Sequence, residues 1–205
     1  MLYKIFKVVS TLLIVASIVM LVLIFWPVAK EQVKYSINQA SGVRYVVGYE
    51  QFATYEKPLS PANRDFSIII PKIAAVAPIV DNVDPTNKTE YLKALKKGIA
   101  HASGTAYPGE NGNVYLFAHS TDSFYNVGKY NAVFFLLGKL RPGDSIFIFY
   151  RNTKIEYQVE EIKVVAPNDS KYLSPIADGK VLTLQTCYPP GTTYQRLIVI
   201  ARQVE

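Results

Sequence analysis

The hydrophobic pattern changes its period once along this chain. From Val8 to Val28 the run VVSTLLIVASIVMLVLIFWPV contains no charged residue. Its length matches the roughly 20 residues a helix needs to cross a hydrocarbon layer. A cleaved signal peptide would show an apolar stretch of about 7–15 residues ending in a small-residue cleavage site, and the run has neither feature. The expectation is therefore an uncleaved membrane anchor, with Trp26 at the interfacial aromatic position. Lys4 and Lys7 precede the run while Lys30 and Lys34 follow it, so lysine placement alone gives little orientation. The short tail ahead and the large body behind favour a cytoplasmic amino end with the folded domain outside.

Residues 30–65 mix Tyr, Gln, Ser and Pro with little periodicity, which predicts a stalk or linker: a short helix followed by extended chain. From Phe66 onward the pattern becomes short apolar runs divided by turn residues. FSIII and AAVAPIV predict strands, TEYLKALKKG a short helix stopped by Gly98, and PGENGN a turn feeding the strand VYLFAHS. AVFFLLGKL predicts a second short helix or apolar turn. RPGD leads into the strands SIFIFY and KIEYQVEEIKVV, and KVLTLQTC and RLIVIARQV come last. Many short strands with brief turns and two small helices predict a mainly antiparallel barrel or sandwich. The expected organisation is 1–29 tail and anchor, 30–65 stalk, 66–205 folded domain.

Composition adds little to that division. The chain has 205 residues, half of them hydrophobic, with 15 Tyr and 10 Phe, as suits a β-rich folded body. The net charge of +6 is compatible with anionic envelope polymers or lipid headgroups, although a mildly basic surface is commonly just solvated. No phosphate-binding glycine loop, zinc-ligand cluster or internal repeat is present, and no nucleic-acid partner is expected.

One residue does change the picture: Cys187 is the only cysteine, so it closes no disulfide within the chain. Strand parity places Thr183, Gln185 and Cys187 on one face of VLTLQTC and Leu182, Leu184 and Thr186 on the other. In RLIVIARQV, Arg196 shares a face with Ile198 and Ile200. If these two strands are hairpin neighbours joined by YPPGTTYQ, the thiol and the guanidinium meet at one edge of the sheet. A cysteine nucleophile needs a proton partner, and only His101 and His119 are available. His119 closes a predicted strand, a rigid mount for a catalytic group, whereas His101 lies before the PGENGN turn. Singly, each residue has a bland reading: a lone Cys is often a small buried hydrophobe, and an Arg opening a strand is often a surface charge.

A membrane anchor, a β-rich domain, LFAHS, TLQTC and the Arg of YQRLIVIA together resemble a sortase, the cysteine transpeptidase family of bacterial cell envelopes. The resemblance runs from about Phe66 to Glu205. It implies an eight-stranded sortase-type β-barrel and a Cys-His-Arg site made of Cys187, His119 and Arg196. Thr186 matches the family's motif threonine and would line the pocket, and His101 would be a substrate-groove residue or the fallback base. The implied activity, of hydrolase and acyltransferase type, is cleavage of an LPXTG-like sorting signal near the carboxyl end of a secreted protein, followed by transfer to an amine of peptidoglycan or pilin. Ala-His-Ser stands where many members have Gly-His.

Subclass is narrowed by what is missing. No second apolar span follows RLIVIARQVE, and the segment from Ala166 to Gly179 is too short for the long helix of class B members. The Cys-Tyr-Pro step looks closest to class D or E. No cofactor is expected; because some sortases bind calcium, Asp81, Asp84, Glu90, Asp169 and Asp178 are its candidate ligands, although scattered carboxylates without a loop motif commonly stay solvated. Two rival readings remain. An L,D-transpeptidase would place Arg two residues after the Cys, where this chain has Pro189. A noncatalytic envelope scaffold would not need Cys187, His119 and Arg196 together.

Overall fold

The computed structural model describes residues 2–48, 56–120, 133–174 and 179–204. It divides into two compact units, Met1–Ser41 and Gly42–Glu205.

The first unit is one helix, α1 (Leu2–Ala40). Its segment Tyr3–Leu23 is long and apolar enough to cross a membrane, and its apolar side chains, among them Leu12, Leu13, Ile18 and Leu23, are exposed. The hydroxyls within that segment do not stay open. Thr11 Oγ1 donates to the Lys7 carbonyl at 2.8 Å and Ser17 Oγ to the Leu13 carbonyl at 2.8 Å, which satisfies them inside the helix. The apolar run predicted a helix only to Val28. The structure carries it twelve residues further because Lys30, Glu31, Gln32 and Lys34 are good helix formers, and Gly42, at φ 65°, breaks the turn beyond its end.

The second unit begins where extended stalk was expected. β1 (Arg44–Val47) and β2 (Glu56–Leu59) pair in parallel as a separate two-stranded sheet, and β1 lies against the tight turn Pro71–Ile73. The remaining strands are β3 (Phe66–Ile70), β4 (Ala75–Val83), β5 (Ile99–Ala102), β6 (Gly112–Phe117), β7 (Ser145–Tyr150), β8 (Thr153–Val165), β9 (Lys180–Tyr188) and β10 (Gln195–Gln203). They close into an eight-stranded barrel in the order β10-β8-β7-β3-β4-β5-β6-β9. Every neighbouring pair is antiparallel except β4–β5 and β6–β9, so the barrel is mixed.

A parallel pair requires a crossover. Between β4 and β5 it is supplied by α2 (Lys88–Leu95), whose N-cap Asn87 accepts from the Glu90 amide. α2 stops short of Gly98, and that glycine serves the sheet rather than the helix. A Cβ there would collide with the Pro78 carbonyl oxygen, so β5 can approach β4 only with glycine at this step. Within AVFFLLGKL the described residues, 133–140, form an apolar turn ending in the short 3-10 helix Leu137–Lys139, with Phe134, Leu137 and Leu140 fully buried.

Candidate active site

The sequence of β9 alternates between two environments, and its register with β10 fixes what each side chain meets. Leu197 pairs with Thr186, Val199 with Leu184 and Ala201 with Leu182 on the inward face, all buried. On the other face Ile200 pairs with Thr183, Ile198 with Gln185, and Arg196 with Cys187. Thiol and guanidinium are therefore direct cross-strand partners, about 4.5–5.5 Å apart at Cα by strand geometry. Both residues are half-buried. Arg196 Nη1 donates to the carbonyls of Thr193 at 3.1 Å and Gln195 at 3.0 Å. One edge of the guanidinium thus holds the connecting loop, while its other donors have no acceptor among the described residues.

His119 lies two residues past the end of β6. That strand runs parallel to β9, with Phe117 opposite Gln185. The Ala118 amide donates to the Gln185 carbonyl at 3.1 Å, and Thr186 Oγ1 donates to the Ala118 carbonyl at 2.9 Å. Both polar groups of Ala118 are thus tied to β9, and half-buried His119 follows it directly, two residues past the Phe117–Gln185 pair as Cys187 is two residues past Gln185.

Thr186, expected to line the pocket, and His101, expected as a groove residue or fallback base, are both buried. Thr186 is 3% exposed, faces inward, and uses its hydroxyl to fasten the chain just before His119. His101 pairs with Leu116 and Leu116 with Leu184, so it belongs to the inward face, away from Cys187. It is 1% exposed. Its Nδ1 is 3.0 Å from Asp81 Oδ1, and its Nε2 is 3.1 Å from the Ala106 carbonyl oxygen and 3.0 Å from Thr105 Oγ1. Its ring packs against Phe66 and Tyr107. Both nitrogens are committed, and the cluster ties β5 to the turn that follows.

Residues not singled out by motif also build this face. Thr183 Oγ1 donates to Asn113 Oδ1 at 2.8 Å, and Asn113 Nδ2 donates to the Tyr172 carbonyl at 2.7 Å, hooking the β8–β9 linker onto the sheet. The Tyr115 hydroxyl donates to Gln185 Oε1 at 2.5 Å. Burial pushes that hydroxyl well above the ordinary tyrosine range, while the Arg196 charge pulls the other way and Asp169 adds to the rise. Tyr115 therefore remains a neutral donor beside the Arg196 cation. Parity marks Tyr115 and Gln185 as residents of the His119 and Cys187 face, which was the available sequence signal.

Among the described residues, no three His, Cys, Asp or Glu side chains come together as a metal site. Asp81 contacts His101, Asp84 accepts from Thr86, Glu90 accepts from the Asp84 amide, and Asp169 pairs with Lys171. Asp178 lies outside the described residues.

A closed eight-stranded barrel with this strand-end grouping agrees with the family comparison: the sortase domain model matches residues 68–204, and the chain belongs to the sortase family. It is 29% identical over 138 residues to Sortase D of Bacillus subtilis (strain 168), covering 66% of this chain and 61% of that protein. Sortase C1 of GBS Pilus Island 1 superposes with a TM-score of 0.59 at 30% identity, over 68% of this chain and 64% of that one. The Clostridium perfringens Sortase D5 transpeptidase superposes with a TM-score of 0.57 at 30% identity, over 70% and 80%. The chain thus spans under two thirds of the length of the Bacillus relative.

Proposed function

We propose that this chain is a membrane-anchored cysteine transpeptidase, nearest to the class D or E sortases, with Cys187 as nucleophile, His119 as acid and base, and Arg196 as oxyanion and substrate-backbone donor. The observation that carries the reading is the direct pairing of Cys187 with Arg196, on the face to which the fastened Ala118 delivers His119. Family membership and the Sortase D5 transpeptidase among the similar structures support the same class of reaction.

In this mechanism the Cys187 sulfur attacks the carbonyl of the sorting-signal threonine. The tetrahedral intermediate collapses with loss of the C–N bond, and His119 gives its proton to the departing amine. The result is a thioester on Cys187. An envelope amine then attacks that carbonyl and passes its proton to His119, and the new amide releases the thiolate. Arg196 stays charged throughout, so it serves as an electrostatic donor, a contribution worth about 3–4 kcal/mol where such groups have been removed from other enzymes. Substrates are secreted proteins with an LPXTG-like signal, and α1 holds the barrel at the outer side of the membrane.

Incubating the full chain in detergent with a panel of LPXTG-type peptides, then measuring intact mass, tests this. An acyl adduct on Cys187 that hydroxylamine removes is expected. An adduct that persists in Cys187→Ala, or no adduct with any peptide, overturns the reading.

A further inference from the structure

On the face of β9 that carries Cys187, one polar side chain has donors the fold leaves unused. Thr183 is buried and spends its hydroxyl on Asn113, and Val181 is buried. Gln185 follows, half-buried and two residues before the thiol. Its Oε1 accepts the Tyr115 hydroxyl at 2.5 Å. Tyr115 is 2% exposed, and its hydroxyl has no other acceptor among the described residues. The carboxamide is turned with its carbonyl toward Tyr115 and its amino group away from it. Neither N–H of that amino group has an acceptor among the described residues. A side chain confined in this way has given up most of its rotamer freedom before a ligand arrives, which lowers the cost of binding one.

An extended peptide advances about 3.3 Å per residue, as a strand does. The two-residue step along β9 from Cys187 back to Gln185 therefore corresponds to two residues of a peptide whose scissile carbonyl sits at the thiol. We propose that a substrate peptide lies alongside β9 in the same direction and that Gln185 is a substrate-binding residue, donating from its carboxamide nitrogen to the substrate backbone carbonyl two residues upstream of the scissile residue. Tyr115 is a positioning residue that acts through Gln185. The role rests on the transpeptidase reading above. The bond is made alike by bound peptide and transition state, so its loss raises KM and spares kcat. A neutral hydrogen bond of this kind is worth about three- to tenfold in affinity.

The test pairs the full chain in detergent with the peptide Leu-Pro-Ser-Thr-Gly and its analogue carrying a thioamide sulfur in place of the proline carbonyl oxygen, a weaker acceptor at the predicted contact. For the unaltered protein the thioamide should raise KM about fivefold. Gln185→Leu should raise KM for the oxygen peptide by about the same factor, keep kcat within about twofold, and show no further penalty for sulfur. Gln185→Glu keeps the acceptor for Tyr115 but loses the donors, so it should behave like Gln185→Leu even if the latter folds poorly. Tyr115→Phe should give a smaller KM rise of the same kind. A merely structural Gln185 would leave the oxygen-to-sulfur ratio unchanged in all variants, and that result overturns the assignment. Failure of the unaltered protein to form an adduct on Cys187 overturns the transpeptidase reading and this role with it. An adduct with unchanged discrimination overturns only the role of Gln185.

Discussion

His101 lies within β5 and His119 just past the end of β6, and their surroundings differ. His101, on the inward face, has a partner for each ring nitrogen and rings packed around it. Nothing can reach it without dismantling the end of β5. His119 is half-buried and follows Ala118, which is tied to β9 through amide and carbonyl. A histidine becomes serviceable when the backbone beside it carries the rigidity, so that placing the ring does not require burying it.

The widest separation between the faces should appear in Cys187→Ala and His119→Ala. Each should lower transpeptidation by on the order of a thousandfold with the melting temperature within a few degrees of the unaltered protein. Peptide turnover beside a thermal melt checks it, and a large loss of stability in either would break the contrast. His101→Ala should do the reverse. Removing the buried ring opens a void and takes a partner from the Ala106 carbonyl, costing about 2–4 kcal/mol by urea titration, with turnover per folded molecule within about threefold. Equal activity losses for the two histidines would erase the comparison.

Thr186→Val sharpens it further. The substitution conserves shape but deletes the bond to Ala118, so stability should drop by about 1–2 kcal/mol, and kcat by about tenfold as His119 loosens. The smallest effect is alkaline. Burial pushes the Tyr157 hydroxyl of the inward face up to about 12, so the folded state favours the protonated phenol. That stabilisation is complete below the ordinary tyrosine value of about 10 and is lost as pH rises through about 12. Melting temperature should be flat from pH 7 to 9 and fall above 10, and Tyr157→Phe should flatten part of that fall.

Much of this face was legible before any coordinates. Alternation in VLTLQTC and RLIVIARQV placed Cys187 and Arg196 at one edge because an antiparallel hairpin is a local object, whose partner strand follows within a few residues. The parallel pairings were not legible. Parity assigns Thr186 to a face, but it cannot say that the neighbour across that face is Ala118, a residue 68 positions earlier. β5 escaped for a different reason. All four residues of IAHA are buried, so the segment shows no alternation to read. A short helix was expected beyond Val28, but not its continuity with the anchor helix, because polarity ended the apolar run without ending helix propensity; β1 and β2 are too short and mixed to declare a period.

The bond between Thr186 and Ala118 also sets a clock. His119, just past β6, and Cys187, on β9, are made far apart in time during synthesis, and β6 meets β9 only when β9 slides in alongside it and seals the barrel. Such long-range closure comes late, since its entropy cost must be met before its contacts exist. A nascent chain therefore keeps His119 and Cys187 apart until the last hairpin, β9 and β10, has emerged.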